Sequence, residues 1–195
     1  MLSEWVLDAV IAQQAKWREQ GIYVSVALNL SSRDLDNPDL ANNVATKLAQ
    51  YLVPAECLII EVTESALMVS LTQTINTLNQ LRDIGLKIAI DDFGTGHSSL
   101  AYLRFLPVDE VKIDKAFLDE FERSPAAKQI VKTSVELAKQ LGFAVTVEGV
   151  ESRSVLETLR DFGVDTIQGD YFAKPATADE FAQTYPQLMC VYIKV

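Results

Sequence analysis

Only two cysteines occur in this chain, Cys57 and Cys190, and only one histidine, His97. The cysteines lie far apart and match no metal-ligand spacing, and a single imidazole excludes chemistry that needs several histidine ligands. Cys57 sits in an apolar run, where a buried, reduced thiol is the ordinary state, which fits a cytoplasmic protein. Clustered lysine and arginine are missing as well. With 17 basic against 27 acidic residues the net charge is −10, and without a basic stripe duplex nucleic acid is not an expected partner. No apolar stretch approaches the roughly 18 residues of a membrane span, so none is expected. Met1 opens directly into an amphipathic pattern, without the basic leader and apolar block of a secretory signal.

What is present suits a single domain with a sizeable core: 195 residues, 49% of them apolar. Short apolar runs alternate with longer stretches of helical spacing. Leu2–Arg18 reads as a helix, and strands are expected at Val24–Leu28, Cys57–Val62, Leu86–Ile90, Glu110–Ile113, Phe143–Val147 and Thr166–Gln168. Between them come helices from Pro38 to about Leu52 with Asn37 as cap, from Val69 to Ile84, from Ser98 to Leu106, from Pro125 to Leu141 and from Ser152 to Phe162. Thr177 with Glu180 three residues on makes a capping box for a last helix, and the tail 187–195 is apolar and β-prone. Strand and helix in alternation predict a parallel sheet covered by helices.

The strand ends carry the chemistry. The six runs terminate at Asn29, Glu61, Asp91-Asp92, Lys112, Glu148 and Gln168. Adjacent carboxylates at the end of a buried strand repel and lose hydration, and a bound cation is the usual remedy. The alternative for Asp91-Asp92 is a turn or cap before Gly94; for Asn29 it is also a cap or turn, and for Glu148 local satisfaction by the backbone of Gly149 and Val150. Lys112, flanked by Val111 and Ile113, is harder to explain away, because a lysine inside a strand is rarely buried unless paired. Functional residues at successive strand ends favour a barrel over an open sheet, and no glycine-rich dinucleotide fingerprint follows the first strand. Six strands fall short of the eight in a complete barrel of about 250 residues.

Taken in order, Asn29-Leu30-Ser31, Glu61-Val62-Thr63-Glu64-Ser65, Asp91-Asp92-Phe93-Gly94-Thr95-Gly96 with Ser98-Ser99-Leu100, Val111-Lys112-Ile113-Asp114, Glu148-Gly149-Val150-Glu151 and Gln168-Gly169 with Phe172 and Lys174-Pro175 resemble the EAL domains. These are bacterial phosphodiesterases that linearise cyclic di-GMP. The likeness runs from about Leu2 to Tyr185. The Glu-Ala-Leu strand itself has no counterpart in these residues, nor has a nearby phosphate-contacting arginine. The resemblance therefore implies an incomplete TIM-like (β/α) barrel without the first two strands and one metal-ligand glutamate, spanning residues 1–186, with 187–195 as tail.

The same resemblance implies the site. Asn29, Glu61, Asp91 and Asp92 would hold two Mg²⁺ or Mn²⁺ ions, with Glu148 near the second; these are hard oxygen donors suited to such ions. Lys112 would position the attacking water or stabilise charge on phosphate, and Gln168 would hydrogen-bond nearby. Glu64 would anchor the loop after Asp92; otherwise it is a helix-start acid. Tyr171 and Phe172 border a guanine pocket or, for Phe172, simply fill core. Implied partners are cyclic di-GMP and a second copy in a homodimer. Three functions compete: a phosphodiesterase impaired as this chain alone, a non-catalytic cyclic di-GMP-binding or protein-interaction module, and a remnant without a function of its own.

Overall fold

A computed structural model of the chain describes residues 2–94 and 103–188. Two compact units emerge, Met1–Ala89 with Phe105–Val108, and Ile90–Arg104 with Asp109–Val195. The first begins with helix α1 (Leu2–Glu19), followed by strand β1 (Val26–Leu30), the single turn α2 (Ser32–Leu35), helix α3 (Leu40–Tyr51), strand β2 (Leu58–Thr63), the turn α4 (Glu64–Leu67), helix α5 (Leu71–Asp83) and the start of β3 (Lys87–Asp91). The second holds the end of β3, then β4 (Glu110–Ile113), helix α6 (Pro125–Gln140), β5 (Ala144–Val147), helix α7 (Arg153–Asp161), β6 (Thr166–Ile167) and helix α8 (Ala178–Leu188).

Strands hydrogen-bond in chain order, β1-β2-β3-β4-β5-β6. That succession, with helices between the strands, is the winding of a TIM-like (β/α) barrel. In the first unit β1 and β2 run parallel with Val26 opposite Leu58 and Asn29 opposite Glu61. Leu28 and Leu30 are buried while Ala27 and Asn29, which alternate with them, are exposed, the period of two that a strand imposes. Helix α3 buries Leu40, Ala41, Val44 and Leu48, one face at helical spacing. It ends on Leu52 in the left-handed region, φ 54°.

The second unit is built the same way. Ser124 caps α6 by accepting from the Ala127 amide, with Pro125 at the first helical position. Val131, Val135 and Ala138 then form its buried face. Strand β5 pairs parallel with β4, placing Lys112 opposite Thr146, and with β6, placing Val147 opposite Ile167. Ser152 caps α7 through the Val155 amide, and the Thr177–Glu180 capping box forms as expected. Val111, Ile113, Val145 and Val147 are fully buried, so these strands are sealed by apolar contact at about 25 cal/mol for each Å² removed from water.

Boundaries move where pairing or capping decides them. β1 lies at 26–30 rather than 24–28, because its ladder partner begins at Leu58; Asn29 is thus inside the strand. The helix expected from Pro38 starts at Leu40, since Asn37 spends its side chain on the Asp39 amide in a turn, 3.0 Å. The single turn α2 went unforeseen, with Ser31 and Asp34 forming its capping box, whereas α4, capped by Thr63, gives Glu64 the helix-start place that was the alternative for it. His97, residues 98–102 of the expected helix and the tail from 189 lie outside the described residues. Among the described residues no helix is long and apolar enough to cross a membrane.

Candidate active site

In the first unit the parallel register sets Asn29 beside Glu61. The Asn29 amide nitrogen donates to Glu61 Oε2 at 3.2 Å, which leaves the asparagine carbonyl oxygen, a hard donor, for a cation. Asn29 is exposed and Glu61 is only 6% exposed. Glu64 follows at the first turn of α4 and is buried as well, at 5%. A fully buried carboxylate of this kind is unusual without partners, so a position at the rim of a helix does not by itself account for it.

The second unit carries a denser group. Lys112 is 6% exposed, and its Nζ pairs with Glu148 Oε1 and lies 3.9 Å from Asp91 Oδ1. The backbone explains the meeting. Lys112 faces Thr146 across the ladder, and Glu148, two residues on, shares Thr146's face of the strand. The Glu148 amide donates to Ile113 O at 3.0 Å, and the Phe93 amide donates to Lys112 O at 3.0 Å. Both strand ends are thereby tied to β4.

Asp92 has φ 57°, a left-handed conformation rare outside glycine and tolerated best by Asn and Asp. Its amide donates to Asp91 Oδ1 at 3.1 Å. Burial first, then the charges of Asp91, Asp114 and Glu148, push its carboxyl above the usual range; Lys112 opposes them. Four carboxylates thus act around one ammonium. Asp114 is the residue that sequence reasoning left without a role. It caps a short 3₁₀ turn, Lys115–Leu118, through the Ala116 amide at 2.8 Å. Its position directly after β4, two residues beyond Lys112, was the available signal.

Gln168 is held by its backbone, its amide on Val147 O at 2.9 Å and its carbonyl on the Val150 amide at 3.0 Å, while its side chain is exposed. Tyr171 and Phe172 meet edge to face with ring centres 5.3 Å apart. The donor set suits Mg²⁺ or Mn²⁺: oxygen ligands only, with an excess of negative charge that a divalent ion would relieve. Among the described residues no three Asp, Glu, His or Cys side chains stand together as a chelating group.

A parallel sheet wound in chain order, with helices between its strands, defines a protein of TIM-like (β/α) fold. The EAL domain model matches residues 1–175, and the chain belongs to the EAL domain family. It is 33% identical over 179 residues to the cyclic di-GMP phosphodiesterase PA2567 of Pseudomonas aeruginosa, covering 92% of this chain and 30% of that protein. Among solved structures it resembles a PaMucR phosphodiesterase in complex with c-di-GMP, with TM-score 0.87 and 35% identity over 92% of this chain and 73% of that one. The manganese and cyclic di-GMP complex of Klebsiella pneumoniae BlrP1 is similar with TM-score 0.82 and 28% identity, covering 90% of this chain and 45% of that one. The chain spans under a third of the length of the curated relatives it matches.

Proposed function

We propose that this domain hydrolyses one phosphodiester bond of cyclic di-GMP to give linear pGpG, using Mg²⁺ or Mn²⁺. The observation that carries this reading is the buried Lys112, paired with Glu148 and close to Asp91, beside an Asp92 crowded by like charge. Within the first unit Asn29 and Glu61 would be the metal ligands, and within the second Asp91, Asp92 and Glu148. Bound metal would lower the pKa of a water and neutralise phosphate charge. Lys112 holds Glu148 in place and presents a fixed positive charge to a phosphate oxygen. Gln168 donates an amide hydrogen bond near the same phosphate.

Incubating the purified protein with cyclic di-GMP and either metal, and following linear product, tests the proposal. Turnover abolished by Asp91→Ala supports it; no product with either metal overturns it. A second reading, a module that binds cyclic di-GMP or a protein partner with little or no turnover, is favoured by the Lys112 ammonium, which already pairs with Glu148 and lies 3.9 Å from Asp91. Ligand-dependent heat release in calorimetry without product would select it. The reading also includes a homodimer in the cytoplasm.

A further inference from the structure

Glu148 is followed by a glycine that the packing requires. Gly149 has φ +73°, and a Cβ there would fall well inside contact distance of the Lys115 side chain and 3.2 Å from Lys115 Cα. The segment Glu148–Val150 therefore lies flat against the first residue of the 3₁₀ turn after β4. Its other side is equally close. A Cβ on Gly169 would meet the Val150 backbone, 2.8 Å from its carbonyl carbon, where the Val150 amide donates to Gln168 O and the Tyr171 amide to Val150 O, both at 3.0 Å. Residues 149 and 150, directly after Glu148, are thus held by two close approaches that only glycine permits.

We infer that Gly149 is a positioning residue: the absence of a side chain at 149 sets the distance at which Glu148 meets Lys112. This rests on the phosphodiesterase reading for its role in turnover, though the geometry stands without it. A methyl group at 149 must push residues 148–150 away from Lys115. Glu148 is tied to Ile113 by its amide alone, so its carboxylate swings away from the Lys112 ammonium. The nearest obstacle is the Lys115 Cβ, and Lys115 is exposed, so that part of the clash can be removed, while the positive φ at 149 and the Lys115 Cα at 3.2 Å remain.

The test compares Gly149→Ala, Lys115→Gly and the double variant. Displacements near 1 Å at a reacting centre cost up to about 10²-fold in rate. Gly149→Ala is expected to lower kcat on cyclic di-GMP by roughly tenfold or more, with a smaller change in KM. Lys115→Gly alone keeps kcat near the parent value. The double variant regains part of the lost kcat, and its melting temperature does not fall below that of Gly149→Ala, since relief of the Cβ clash outweighs the weakening of the turn by glycine. The Lys112 ammonium resonance in ¹⁵N NMR, which reports the ion pair directly, should shift in Gly149→Ala and return in the double variant. If the parent protein shows no turnover, the phosphodiesterase reading fails and this resonance alone decides the inference. An unchanged Lys112 resonance in Gly149→Ala, or a double variant no closer to the parent than Gly149→Ala, overturns it.

Discussion

Lys112 of β4 and Glu148 beyond β5 form an ion pair with the lysine side chain 8% and the glutamate side chain 20% exposed. Both belong to the second unit. A buried ammonium costs several kcal/mol of desolvation unless paired, so this contact explains how a lysine survives between Val111 and Ile113.

Removing one partner should expose that cost. Lys112→Met leaves Glu148 and Asp91 without their cation, and a loss of about 3 kcal/mol is expected in urea unfolding. Adding Glu148→Gln should recover much of it. A double-mutant cycle with no coupling would contradict the pairing. Turnover should drop by on the order of 10²-fold or more in either single variant.

Asp92 gives a pH dependence with a definite sign. Its carboxyl is raised in the folded state, by burial first and then by Asp91, Asp114 and Glu148. Its contribution to stability is therefore full below the ordinary carboxylate range and is lost as pH rises through the elevated folded value. Asp92→Asn should flatten this decline and raise the melting temperature of the metal-free protein at neutral pH. A steeper fall in the variant would reverse the assignment.

At the Asn29–Glu61 contact the expected stability effect is small. Asn29→Ala removes one hydrogen bond to a carboxylate at an exposed position, worth about 1 kcal/mol. The larger effect should be functional: weaker activation by Mn²⁺, read as a higher metal concentration for half-maximal turnover. Unchanged activation would remove Asn29 from the ligand set.

Below Lys112, Thr146 Oγ1 donates to Glu110 Oε1 at 2.5 Å, and Thr146 is 3% exposed. Thr146→Val keeps the shape and deletes a charge-assisted hydrogen bond, so about 1.5 kcal/mol should be lost in denaturant titration. A change within a few tenths of a kcal/mol would show that Glu110 finds an equal partner in water.

Much of the fold was readable because apolar periodicity and caps are local. Ser124-Pro125, Ser152 and the Thr177–Glu180 pair marked helix starts that the structure keeps. The strand-end chemistry was equally visible, since acids, amides and a lysine after apolar runs stand out in one dimension. Ser31–Asp34 escaped notice because a one-turn helix has too few residues to show a period. Asp114 escaped because a carboxylate after a strand looks like any cap, and its weight comes from proximity to Asp92.

From its residues alone the chain settled its alternation of strand and helix, its family and the list of side chains able to do chemistry, because each depends on neighbours in sequence. Tertiary structure decided which of those groups touch: Asn29 with Glu61 through the register of β1 on β2, and Lys112 with Glu148 through that of β4 on β5. Hydrogen-bonded pairing between distant strands fixes the level of every side chain, and no local pattern encodes a ladder shared by residues more than thirty positions apart.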